Sequence, residues 1–143
     1  MKPLLLLATF VLAGFAFGSG TIKQADLVTV TLRLDKGLDS KAKGIRHAYV
    51  IFYDPASKMP MPYAAQKFTL KKDPTGDFLV NQKIDTKTAS VMRGGVPPKT
   101  LRVKVRLDKD GNAGRDATGD IVGVNDSVAL GSKVVVTLNK LVP

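Results

Sequence analysis

Residues 100–107 read TLRVKVRL, and this stretch decides the fold class. Leu101, Val103, Val105 and Leu107 alternate with Arg102, Lys104 and Arg106. Successive side chains of a strand point to opposite faces, so this spacing predicts a strand with an apolar face to the core and a basic face to water. A helix would scatter both sets around its circumference. The same period recurs upstream in residues 27–34, LVTVTLRL, where Val28, Val30, Leu32 and Leu34 share one face. Thr29, Thr31 and Arg33 take the other.

Further strands follow from the same reading. Residues 46–53, RHAYVIFY, are apolar on nearly both faces, which predicts a central strand between two layers. Asp54-Pro55 ends it. Residues 63–70 and 77–84 are joined through Asp73-Pro74-Thr75-Gly76, a type I turn signature. Gly94-Gly95 and Pro97-Pro98 make residues 86–99 irregular. A weak strand signal returns at 121–124 and 127–130, and SKVVVTLN (132–139) closes the chain. Residues 35–44, DKGLDSKAKG, and 108–120 read as loops. Roughly seven short strands with turn signals between them predict an all-β, immunoglobulin-like antiparallel β-sandwich over residues 27–143.

Composition agrees. The chain has 143 residues and no Cys or Trp, and none of its 12 acidic residues is Glu. Absence of a strong helix former beside abundant Val and Thr disfavours helix. Absence of Cys excludes a disulfide framework, thiolate zinc or iron–sulfur sites, a thiol nucleophile and covalent c-type haem attachment. Residues 1–20, MKPLLLLATFVLAGFAFGSG, carry Lys2, an apolar run from Leu4 to Phe17 and small residues near Gly18 and Gly20. That is the pattern of a secretory signal peptide; the run is shorter than the roughly 20 residues of a spanning helix. Residues 21–26 then form a short linker. The expectation is an exported protein, periplasmic or extracellular, without a transmembrane helix after cleavage. The formal charge of +10 would suggest nucleic acid in a cytosolic protein. Export points instead to anionic lipid, an acidic polymer or an acidic protein, and no nucleic acid.

Few residues suggest chemistry. The single His and the absence of G-x-S-x-G give no triad, and no phosphate loop is present. The expectation is no enzyme and no cofactor. Asp108-Lys109-Asp110-Gly111-Asn112 resembles a calcium loop only in part: Ala113 and Gly119 occupy the required Gly and Glu positions, so the segment reads as a turn. His47, Met59, Met61 and Met92 are the ligand types of a Cu(I) carrier, giving a periplasmic copper chaperone as one alternative. The same methionines also suit packing. Arg102, Lys104 and Arg106 form a basic stripe that could steer an acidic partner or protect an edge strand.

The order of segments resembles the C-terminal periplasmic domain of CycH/CcmI-type c-type cytochrome biogenesis proteins. The residues that carry the resemblance are VTVTLRLD (28–35), AYVIFYDP (48–55), Met61-Pro62-Tyr63-Ala64, Lys67, Asp85 to Met92, Gly111-Asn112-Ala113, Gly119-Asp120 and the Val-rich end from Gly131-Ser132 to Val142-Pro143. The resemblance spans residues 26–143 and implies an immunoglobulin-like binding domain with no catalytic residues. It also implies a protein partner, either a c-type cytochrome or a cytochrome maturation complex. The family's membrane helices and helical repeat domain have no counterpart in this sequence. Two readings follow: an assembly factor for c-type cytochromes, or a structural non-haem subunit packed on a multihaem cytochrome or another electron-transfer complex. The partner-binding residues expected are Arg102, Lys104 and Arg106 on the stripe and Met61, Pro62 and Tyr63 on the loop.

Overall fold

The computed structural model describes residues 25–143. The expected signal peptide (1–20) and residues 21–24 of the expected linker lie outside the described residues. Among the described residues nine strands occur in chain order: β1 (Asp26–Leu34), β2 (His47–Tyr53), β3 (Ala64–Thr69), β4 (Asp77–Asp85), β5 (Ser90–Val91), β6 (Thr100–Asp108), β7 (Ile121–Ala129), β8 (Lys133–Leu138) and β9 (Lys140–Leu141). They form a three-stranded sheet, β4-β1-β8, and a six-stranded sheet, β5-β3-β2-β6-β7-β9. The chain is therefore an all-β sandwich. Every pairing is antiparallel except β1 with β8, which is parallel. Among the described residues no helix is long and apolar enough to cross a membrane.

Alternation places the core as the sequence predicts. Val28, Val30, Leu32 and Leu34 of β1 meet Leu101, Val103, Val105 and Leu107 of β6 across the sandwich, together with Ala48, Val50 and Phe52 of β2. Burial of such side chains contributes about 1.5–3 kcal/mol each relative to exposure. Strand β4 is an edge; Asn81 in a left-handed conformation and repeated register shifts against β1 twist it, which discourages pairing with another chain. Residues 35–44 are not simply a loop. A 3-10 turn (Lys36–Leu38) and one helical turn, α1 (Asp39–Ala42), follow Asp35, whose side chain accepts a hydrogen bond from the Gly37 amide. Ala42 and Ile45 seal the core beneath them.

Two expectations are corrected. β6 lies between β2 and β7, so its basic stripe does not protect an edge. β2 is central within its sheet, but its outer face is not covered by a second layer of sheet. Ala48, Val50 and Phe52 face the core, whereas Ile51 and Tyr53 on the other face remain half-buried.

β7 runs unbroken through the weak signal at 121–130 despite Gly123, Asn125 and Asp126. Gly123 is required by packing. A Cβ there would lie 2.1 Å from the carbonyl oxygen of Thr137, where β8 leaves one sheet to become β9 of the other. Neither backbone can withdraw without breaking its ladder. Gly123→Ala is expected to cost about 3 kcal/mol, the upper end of the overpacking range, in denaturant unfolding; a wild-type midpoint would contradict the close approach.

Candidate binding groove

The outer face of the six-stranded sheet is a groove of ≈ 870 Å³. Its floor runs along β2, where alternation presents Tyr49, Ile51 and Tyr53, and continues onto Ala65 and Lys67 of β3. Ser90, Met92 and Pro62 form one wall, and residues 113–116 of the loop between β6 and β7 form the other. A shallower depression adjoins it, lined by Tyr53, Lys58, Met59, Arg102 and Lys104 among others.

The loop wall is held by Arg106. Alternation places this side chain on the outer face, yet it is only 2% exposed, which corrects the expectation that it faces water. The loop folds back over it. Its Nη1 donates to the Gly114 carbonyl at 2.7 Å and to Asp116 at 3.3 Å, and its Nη2 donates to the Asn112 carbonyl at 3.4 Å. The guanidinium stacks 5.0 Å from the Tyr49 ring centroid, a cation–π geometry. Its Nε lies 3.9 Å from both Asp108 and Asp120. Asp120 is fully buried and accepts from the amides of Lys109 and Ala117, closing the loop on itself. A buried cation needs such partners because desolvation alone would expel it.

The rest of the stripe is also partnered. Arg102 pairs with Asp126 at 3.0 Å and lies 5.7 Å from the Tyr53 ring centroid; Lys104 pairs with Asp116 at 2.5 Å. Burial acts to raise the Asp116 pKa, but the hydrogen bond and charge of Lys104, then of Arg106, outweigh it and hold the carboxyl below its ordinary range. Two cations at the groove remain unpaired among the described residues: Lys67, 5.6 Å from the Tyr49 ring centroid, and Arg115. Sequence reading passed over both as binding residues. The signal for Lys67 lay in its period-two spacing from Ala65; Arg115 stands in a loop and had none.

Tyr63 is buried and is not a contact surface, another correction. It joins two loops. Its carbonyl accepts from the amides of Met92 and Arg93, and its hydroxyl donates to the Gly95 carbonyl at 3.3 Å. Pro62 and Met92 thereby reach the groove wall, while Met59 and Met61 stay exposed beside it. The methionine loop and the basic stripe thus meet at one surface.

Of the four candidate copper ligands, His47 stands apart from the methionine region. His47 pairs with Asp108 at one end of β2, and Tyr63 meets Phe52 at the other. Five residues of strand separate them by roughly 16 Å. Among the described residues no group of three or more His and Asp side chains is placed to hold a metal.

His47 Nδ1 and both carboxylate oxygens of Asp108 are buried without hydrogen-bond partners. Burial foremost, and then the charge of Asp120, push Asp108 above the ordinary carboxylate range against the pull of Arg106. A carboxyl whose pKa is raised on folding binds its proton more tightly in the folded state. Stability therefore falls as pH rises from the ordinary value of about 3.9 through the raised one. Asp108→Asn is expected to stabilise the protein at pH 7 in denaturant unfolding, and the gain should vanish below about pH 3.9. A loss at pH 7 would contradict this reading.

The chain matches no protein-family model, curated protein or solved structure.

Proposed function

We propose that this chain is an exported, non-enzymatic protein-binding module that serves c-type cytochromes as an accessory or assembly factor. The observation that carries the binding reading is the groove: Ile51 and Tyr53 stay half-exposed on the outer face of a central strand, with cations at the margin. A strand face that is apolar and yet uncovered is the pattern expected of an interaction surface. Exposed Met59, Met61 and Met92 extend it, and methionine repacks readily against varied partners.

Part of the proposal is an immunoglobulin-type scaffold. The neighbours β3-β2-β6-β7 follow the C′-C-F-G order of that fold, and β1 beside β4 follows its B-E pair. β8 then takes the place of strand A, with parallel rather than antiparallel pairing. The cytochrome assignment rests on the ordered resemblance to CycH/CcmI-type proteins; the secretory pattern of residues 1–20 supports export to the periplasm or beyond. The alternative of a permanent non-haem subunit is favoured by the exposed methionines, since a lasting interface would cover them.

Affinity capture with the tagged mature chain from the native periplasmic and extracellular fractions tests this. Recovery of a c-type cytochrome or a maturation component is expected. Stoichiometric recovery with mature haem protein indicates a subunit, and substoichiometric recovery with the apoprotein indicates an assembly factor. Recovery of neither class would overturn the cytochrome assignment.

A further inference from the structure

Resting on the protein-binding reading, we infer that the groove receives an acidic, extended peptide segment of the partner, with its apolar side chains on the β2 floor and its carboxylates on Lys67 and Arg115. Shape supports this first. On β2 the floor open to a partner is Ile51 and Tyr53, both half-buried and about 7 Å apart, and Ala65 of β3 continues it sideways. Tyr49 is buried, its ring covered by Lys67 and Arg106. The walls on either side leave it open along its length. A strand-like peptide presents alternate side chains to such a floor and turns the others toward the margins.

Charge supports it independently. The groove and the adjoining depression are lined by six cationic side chains against two carboxylates, Asp54 and Asp116. Neither carboxylate is idle: Asp116 serves Lys104 and Arg106, and Asp54 lies 3.8 Å from Arg93. Lys67 stands on the floor strand β3 and Arg115 on the opposite loop wall, so an anionic segment between them meets a cation on each side. Both are exposed and make no ion pair among the described residues, so neither must break an ion pair to bind.

The same features argue against other anions. A bare polyanion would leave the half-exposed Ile51 and Tyr53 floor unused. A bilayer cannot reach a recessed floor, because membrane attachment needs apolar groups that protrude.

The test is a backbone-amide NMR titration of the mature chain with two synthetic peptides, one alternating Asp with Leu and Phe, the other with Asn at every Asp. The acidic peptide is expected to shift the amides of Ile51, Tyr53, Ala65, Lys67 and Met92, and the neutral one to bind at least tenfold more weakly. Lys67→Glu and Arg115→Glu should each weaken the acidic peptide about tenfold, the effect of one lost charged hydrogen bond. Equal response to both peptides, no groove response, or unchanged affinity in both variants would overturn the inference. So would vesicles of anionic phospholipid that bind through Met59 and Val96, the latter 91% exposed, while the acidic peptide leaves the groove unmoved. Failure here beside successful capture of a cytochrome partner would remove the acidic-segment inference and leave the binding proposal standing.

Discussion

A guanidinium buried on the outside of a sheet is the constraint on which this surface depends. Arg106 projects away from the core, and the loop between β6 and β7, with the Tyr49 ring, removes it from water. That burial is tolerable because three carboxylates and two backbone carbonyls surround it. In satisfying Arg106 the loop becomes a wall. The wall turns a flat sheet face into a groove, and Asp116, drawn in by Arg106, occupies Lys104 as well. Within the groove itself the unpaired charges left for a partner are therefore Lys67 and Arg115 rather than the stripe.

Much of the sandwich was legible in the sequence because alternation is a local signal. β1 and β6 follow their period-two patterns, and each predicted core residue is buried. β7 was harder to read, since Gly123, Asn125 and Asp126 have low strand preference. It holds because β6 pairs along it and β8 presses on Gly123. Tertiary context there overrides local propensity.

The site was less legible for a related reason. Burial of Arg106 depends on a loop that begins three residues later and whose path no periodicity describes. Tyr63 has a place in its strand pattern, but its bonds to Met92, Arg93 and Gly95 cross about thirty residues of chain. The apolar outer face of β2 was visible as Tyr49, Ile51 and Tyr53. Whether a second layer covers such a face is a question of topology that a single strand cannot answer.

Hydrogen exchange of Arg106→Met measures the central dependence directly. Loss of the guanidinium leaves Asp108 and Asp120 buried without a counter-charge. The amides of Lys109, Ala117 and Asp120, which close the loop, should then exchange faster by about two orders of magnitude or more. The amides of β1, in the opposite sheet, should keep their protection. Wild-type protection in the loop would show that its conformation does not depend on Arg106 and would contradict this account of the groove.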